Sequence, residues 1–128
     1  MKAWKAVVTL ALIALAPAAW GQAWPAKPIK LVAPSTPGDA PDVIARMVAE
    51  KLSGALGQQV VVENRPGAGG VVGSDAAAKA APDGYTLIMG NAGSHGINAA
   101  VYSKLPYDIQ RDFAPVSQVA VAPNVMVI

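Results

Sequence analysis

Apolar and polar residues follow one another along the chain in blocks that predict strands and helices in turn. Three short apolar runs, at residues 29–33, 60–63 and 85–89, have the length of buried strands. A helical pattern separates the first two runs, and an alanine-rich stretch that ends at Ala81 predicts a second helix before the third. Strands that alternate with helices in this way indicate an α/β fold with a mostly parallel sheet.

The first helix is predicted from the spacing of its apolar residues, which recur at intervals of one, three and four. It begins at Pro41 or Asp42 and ends at Leu56, because Gly57 is the residue type that commonly terminates a helix. The residues on its expected apolar face are Val43, Ile44, Met47, Val48, Leu52 and Leu56.

The chain after the third strand is less regular. A second Gly-rich loop occupies residues 90–96, and residues 97–101 predict a short helix. A polar segment follows, and apolar residues then predict a strand near residues 116–121 and another at residues 125–128.

The first residues have the pattern of a secretory signal peptide. Two lysines among the first five residues precede an uncharged, apolar run at residues 6–19, and small residues follow it. This run is short for a membrane anchor, which needs about 20 apolar residues. We therefore predict that residues 1–21 direct export to the periplasm, with cleavage after Gly21 or Ala23.

Charge and composition exclude several classes of function. Without its two N-terminal lysines the chain has eight basic and eight acidic residues, so it lacks the basic surface that nucleic acids require. There is no cysteine, and one histidine, His95, is too few for a histidine-based metal site. We expect neither a metal nor another cofactor.

Residues 63–73 join the second strand to the second helix through a run of glycines. The N–H groups at the start of a helix bind anions, which makes a nucleotide site one interpretation. The dinucleotide-binding pattern needs Gly-x-Gly-x-x-Gly, and counted from Gly67 its third glycine falls on Val72. The preferred interpretation is a tight turn whose glycines allow the helix to pack close to the sheet.

Two loops follow carboxyl ends of predicted strands, where open α/β sheets bind their ligands. Both are rich in small and neutral polar residues, and both lead into helices. Main-chain N–H groups and hydroxyls in such loops suit a small anion such as a carboxylate. Ordinary helix capping, by Asp42 or Ser94, is the alternative for either loop alone. The candidate ligand-binding residues are Ser35, Thr36, Gly38, Asp39, Ala40, Asn91, Gly93, Ser94, His95 and Gly96.

The Ser94–His95 pair raises the alternative of an exported hydrolase. A serine nucleophile needs a base within reach and a third group that orients the base. Adjacent loop residues rarely face one another, and the sequence around Ser94 is not a Gly-x-Ser-x-Gly elbow. We therefore expect no enzymatic activity and a ring of His95 that packs or hydrogen-bonds locally.

Several motifs occur in a set order between Trp24 and Ile128. They are Trp24-Pro25, Lys27-Pro28-Ile29, Asp42-Val43-Ile44-Ala45-Arg46, Glu63-Asn64-Arg65-Pro66-Gly67-Ala68-Gly69-Gly70, Ala81-Pro82-Asp83-Gly84-Tyr85-Thr86-Leu87, Leu105-Pro106-Tyr107-Asp108 and Arg111-Asp112-Phe113-Ala114-Pro115-Val116. In this order they resemble the Bug-type periplasmic receptors, which are the substrate-binding proteins of the tripartite tricarboxylate transporter family.

The resemblance implies a two-lobed, Venus-flytrap receptor of type II-like architecture that closes on a small carboxylate ligand and delivers it to membrane transporter subunits. It implies that residues 24–122 form the first α/β lobe, that residues 123–128 begin the crossover, and that the chain is an N-terminal fragment without the second lobe. It also implies a monomer at full length. A sensory binding module without a transporter is the remaining alternative.

One departure from the family pattern falls in the first loop. The family usually has an aromatic residue and then Pro-Pro-Gly-Gly where this chain reads Ser35-Thr36-Pro37-Gly38-Asp39. The resemblance thus implies the loss of an aromatic wall and the gain of a carboxylate. Either Asp39 caps the following helix and points away from the ligand, which we favour, or the ligand carries a cationic or hydrogen-bond-donating group.

Overall fold

The computed structural model describes residues 23–121. Three parallel strands form its sheet: β1 (Ile29–Ala33), β2 (Val60–Asn64) and β3 (Thr86–Ile88). Their order is β2-β1-β3, so that β1 lies in the centre and the chain crosses over the sheet between strands. The predicted α/β class with a parallel sheet is therefore confirmed, and all three strands lie within one or two residues of their predicted bounds.

Helix α1 (Ala40–Leu56) ends at Gly57, which adopts the left-handed conformation with φ 63°, as the sequence predicts. Its buried face matches the prediction in part, since Leu52 and Leu56 pack partly buried against the core, but its buried residues are Asp42, Ala45 and Ala49. Val43 and Met47, both assigned to the apolar face, are exposed by 47% and 64%. The alanines have no bulky side chain to hold the helix away from the sheet, so the closest contact falls on them.

The core lies between α1 and the sheet. Its fully buried members come mainly from β1, the central strand, whose neighbours cover it on both edges. The buried apolar cluster comprises Ile29, Leu31, Ala33, Ala45, Ala49 and Val60, with Leu52, Leu56, Val62, Tyr85, Leu87 and Met89 partly buried against it.

The run of glycines after β2 forms a 3-10 turn (Ala68–Gly70) that leads directly into α2 (Val71–Ala78). A Cβ atom on Gly73 would lie 2.8 Å from the carbonyl oxygen of Arg65 and 2.8 Å from Cβ of Pro34. One on Gly70 would lie 3.0 Å from Cβ of Ser94. These two glycines therefore allow close packing, as the preferred interpretation holds.

After β3 the chain forms a π-helical turn (Gly93–Ile97) and the short helix α3 (Asn98–Val101). Tyr107 is buried and donates a hydrogen bond from its hydroxyl to the carbonyl of Ser94 at 2.8 Å. This contact ties the irregular segment that follows α3 back to the turn.

The predicted strand near residues 116–121 is wrong. These residues have no regular secondary structure, and Val116 is 87% exposed. The physical reason is the lack of a partner, because none of the three described strands lies beside them. The predicted signal peptide, its cleavage site, the strand at residues 125–128 and the crossover at residues 123–128 lie outside the described residues. Within residues 23–121, no helix is both long and apolar enough to cross a membrane.

Candidate functional site

The carboxyl ends of the three strands meet at one edge of the sheet, because the strands are parallel and adjacent. The Arg65 N–H bonds to the carbonyl of Ala33 at 2.9 Å, and the Met89 N–H bonds to the carbonyl of Val32 at 2.8 Å. The loops after β1, β2 and β3 therefore begin side by side. This is the edge at which open α/β sheets bind their ligands.

An open cleft of about 410 Å³ lies among these loops. Its volume falls within the usual range for small-molecule sites, about 300–1,000 Å³. The residues that line it are Pro34, Ser35, Thr36, Asp39, Ala40, Pro41, Pro66, Gly67, Gly69, Gly70 and Asn91.

Half of the predicted site residues line this cleft. Four of these five, Ser35, Thr36, Asp39 and Ala40, come from the loop after β1, and the fifth is Asn91. The predicted residues that do not line it are Gly38, Gly93, Ser94, His95 and Gly96. The third loop thus contributes one residue instead of the five expected, because residues 93–97 coil into the π-helical turn behind Asn91.

The place of the third loop is taken by the glycine corner, which we define as residues 66–70. Gly67, Gly69 and Gly70 have φ angles of 132°, 62° and 91°, and Ala68, with φ 48°, shares the left-handed region that alanine rarely adopts. Among the described residues, none accepts a hydrogen bond from the main-chain N–H of Gly67 or Gly69. The corner therefore offers donors at the start of α2, where an anion is favoured.

The preferred interpretation from the sequence, in which the glycines of this corner serve packing alone, is incomplete. The structure divides them, since Gly70 and Gly73 make close contacts with neighbouring loops while Gly67 and Gly69 line the cleft. The run of four small residues at 67–70, shortly after β2, was the signal for this second role.

Two side chains of the following segment hold the glycine corner in place. Asn98, which is buried, donates its amide to the carbonyl of Gly69 at 3.0 Å. The hydroxyl of Tyr102 donates to the carbonyl of Ala68 at 3.3 Å. Because the carbonyl groups of Ala68 and Gly69 are fixed in this way, the neighbouring main-chain N–H groups of the glycine corner keep one orientation.

Asp42 connects the loops around the cleft. It accepts hydrogen bonds from the Gly38 N–H at 2.9 Å, from Arg46 and from the Asn64 amide at 2.8 Å, and Asn64 also donates to the carbonyl of Ser35. The donation from Arg46, helped by that from Gly38 and then Asn64, lowers the pKa of Asp42 from 3.8 to about 2. Asp42 therefore stays ionised and accepts hydrogen bonds from donors at the start of α1.

Asp39 stands at the N-cap position of α1, but its side chain makes no capping hydrogen bond. Instead its carboxylate accepts a short hydrogen bond from the hydroxyl of Thr36, and both residues line the cleft. The favoured interpretation, in which Asp39 is a helix cap that points away, is therefore wrong about its side chain. Asp42, which the sequence offered as an alternative cap, lies in the first turn of α1 and accepts the Gly38 N–H just before the helix.

Ser94 and His95 lie closer together than the sequence suggested, with Ser94 Oγ 2.9 Å from His95 Nδ1. Ser94 is nevertheless fully buried, and its hydroxyl also accepts the N–H of Asn91 at 3.1 Å. The ring of His95 packs edge-on against Phe113, with centroids 4.8 Å apart, and its Nε2 is buried with no partner among the described residues. Burial lowers the pKa of His95.

This arrangement does not favour hydrolysis. A substrate cannot reach a hydroxyl that is fully buried, and no described carboxylate orients the imidazole as a third catalytic group. The prediction that His95 packs and hydrogen-bonds locally is confirmed. Within the part of the chain that the structure describes, no group of three or more acidic or histidine side chains could hold a metal ion.

A parallel α/β layer with an open cleft at its strand ends is the arrangement in which open α/β sheets bind small molecules. The profile of the tripartite tricarboxylate transporter family receptor (TctC) matches residues 44–128, and the chain belongs to this family.

Relatives and solved structures agree with this assignment. The chain is 45% identical over 105 residues to Protein BugT of Bordetella pertussis, which covers 81% of this chain and 32% of that protein. MatC from Rhodopseudomonas palustris with bound malate superposes with a TM-score of 0.72 at 38% identity, over 75% of this chain and 33% of MatC. An R. palustris protein with adipate gives a TM-score of 0.66 at 40% identity, over 68% and 29%. The chain thus spans about a third of the length of these proteins.

Proposed function

We propose that this chain belongs to an exported solute-binding receptor that captures a small ligand by its carboxylate. The observation that carries the proposal is the open cleft at the strand ends, lined mainly by small, neutral residues with main-chain donors. Two similar proteins hold malate and adipate, which are both carboxylates. The ligand class is transferred from them to this chain as part of the proposal.

The ligand carboxylate binds, in this proposal, at the glycine corner. The N–H groups of Gly67 and Gly69 have no described acceptor and stand at the start of α2, where the helix dipole favours a negative charge. Because no lysine or arginine lines the cleft among the described residues, main-chain amides, hydroxyls and water meet the charge. The main-chain donors that the sequence predicts at residues 94–96 are not required for this binding.

The wider role follows from the family. We propose that the protein works in the periplasm after removal of its leader, and that a second lobe in the whole protein closes over the cleft by a hinge motion. The closed receptor then delivers its ligand to transporter subunits in the membrane. A sensory receptor without a transporter uses the same cleft, so ligand uptake by cells that lack the gene separates these two roles.

Calorimetry and thermal denaturation test the binding step. The protein is purified as its gene encodes it and titrated with malate and with adipate, and adipamide, the neutral diamide of adipate, serves as the matched control. We expect saturable binding and a higher melting temperature with at least one dicarboxylate, no response to adipamide, and no conversion of the ligand. A protein that shows no response to any carboxylate at millimolar concentration, or that cleaves an ester through Ser94, contradicts the proposal.

A further inference from the structure

Asp39 is the one charged side chain among the described residues that line the cleft. One of its carboxylate oxygens, Oδ2, accepts the hydroxyl of Thr36, and no described residue donates to the other. An ionised carboxylate offers about four acceptor positions, so Asp39 retains most of its capacity to bind donors. Its charge therefore belongs to the ligand-binding surface.

The basic side chains of the neighbouring elements are bound to other carboxylates. Arg46 pairs with Asp42, with Nη2 3.0 Å from Oδ1. Lys30 pairs with Glu63 at 2.8 Å, and Arg65 pairs with the same carboxylate. Within the described part of the chain, no basic group thus neutralises Asp39 across the cleft.

The start of α1 offers few free N–H donors to an anionic ligand. Pro41 has no N–H, the Gly38 N–H is taken by Asp42, and the Asp39 N–H bonds to the carbonyl of Thr36 at 3.2 Å, so that among these first residues only Ala40 has an N–H without a described acceptor. The helix dipole already acts on two carboxylates there. A ligand carboxylate is favoured at the glycine corner, on the other side of the cleft, while the α1 side presents a net negative charge.

We propose that Asp39 selects a ligand that carries a cationic nitrogen, such as an ammonium group, in addition to its carboxylate. This inference rests on the proposed function and narrows its ligand class. The carboxylate binds the donors of the glycine corner, and the cationic group binds Asp39 and the hydroxyl of Thr36. A ligand that is purely anionic meets the uncompensated charge of Asp39 and binds more weakly.

Matched ligand pairs that differ by an ammonium in place of a methyl group test this proposal. The pairs are aspartate with methylsuccinate, glutamate with methylglutarate, and γ-aminobutyrate with valerate. Calorimetry measures each affinity in the wild type, in Asp39→Asn, which keeps the shape and the acceptor for Thr36, and in Glu50→Gln. The last variant makes the same change of charge at an exposed position of α1 outside the cleft.

We expect the wild type and Glu50→Gln to favour the ammonium member of a pair about fivefold or more, as a charge pair near 4 Å in water implies. Asp39→Asn is expected to lose that preference through tighter binding of the methyl member and weaker binding of the ammonium member. Carboxylates that bind without a preference, or a preference that survives in Asp39→Asn, overturn this inference and leave the proposed function standing. If malate, adipate and all members of the three pairs fail to bind, the result contradicts the proposed function and, with it, this inference.

Discussion

Single residues decide how closely the loops around the cleft approach one another. Gly73 is the sharpest case, because its missing side chain lets α2 lie against Pro34 and the carbonyl of Arg65. Gly54, in the last turn of α1, has open space where a Cβ would stand. Glycine serves different purposes at the two positions, and the same substitution should therefore change stability differently at each.

We expect Gly73→Ala to lower the free energy of unfolding by about 1–3 kcal/mol, since the new methyl group would meet the carbonyl oxygen of Arg65 and the rigid ring and Cα of Pro34. Gly54→Ala is the matched control and should raise it by about 0.5–1 kcal/mol, because alanine restricts the unfolded chain and favours helix. Urea denaturation of both variants measures the difference. Equal effects at the two positions would show that Gly73 does not have a packing role.

Asp42 makes a second residue-scale prediction, on acid stability. Its pKa in the folded protein is about 2, below its usual 3.8, so it stabilises the fold above about pH 4 and this contribution is lost as the pH falls toward 2. Asp42→Asn removes the charge that Arg46 and the loop donors bind. We expect a melting temperature several degrees lower at neutral pH and a shallower loss of stability below about pH 4.

Glu50→Gln is the control for this experiment, because it removes one charge from an exposed position on the same helix. It should leave the acid profile of the wild type unchanged. An Asp42→Asn protein that loses stability with acid as steeply as the wild type would assign the titration to other carboxyl groups.

At the scale of elements, the glycine corner depends on α3 as well as on its own glycines. Neither the corner nor a helix of four residues is stable alone, because short helices in water are marginal. The bond from Asn98 to Gly69 joins them, and burial of Asn98 makes it costly to break. The orientation of the donors at the cleft is thus set by an element that does not line it.

We expect Asn98→Ala to lower the free energy of unfolding by about 1–3 kcal/mol, since the Gly69 carbonyl loses its partner. If the corner holds the ligand carboxylate, the affinity for malate or adipate should fall about tenfold, measured by calorimetry at a temperature where the variant is folded. Val101→Ala, at an exposed position of the same helix, should change neither quantity. A variant that is less stable and yet binds with unchanged affinity would remove the corner from the site.

At the scale of the whole molecule, the cleft exists because three segments far apart in sequence end at one edge of the sheet. A ligand that binds there connects the loop after β1 with the glycine corner. It stabilises the folded state by about 2.7 kcal/mol when present at 100 times its dissociation constant. Local protection from hydrogen exchange shows which loops take part.

We expect malate or adipate, whichever binds, to slow amide exchange at residues 35–40 and 67–70. Residues 104–112, which lie outside the cleft, provide the internal control. Slower exchange confined to residues 93–98 would instead support the site that the sequence analysis placed in the third loop.

The sequence by itself determined the elements and their class. Hydrophobic runs, helical spacing and Gly57 fixed three strands and α1 to within one or two residues, since these features act over a few positions of the chain. The first loop of the cleft was also predicted, because a loop at the end of a buried strand can be read from local pattern alone. The strand near residues 116–121 failed for the converse reason, since a strand exists only where another strand pairs with it.

Only the tertiary structure decided which face of α1 is buried, which glycines pack and which line the cleft. It also brought Ser94 and His95 into contact and placed the carboxylate of Asp39 at the cleft beside Thr36. These outcomes depend on distances between segments that are tens of residues apart, and such distances follow from the strand order β2-β1-β3. Local pattern cannot supply them, because the same residues at a different sheet position would meet different neighbours.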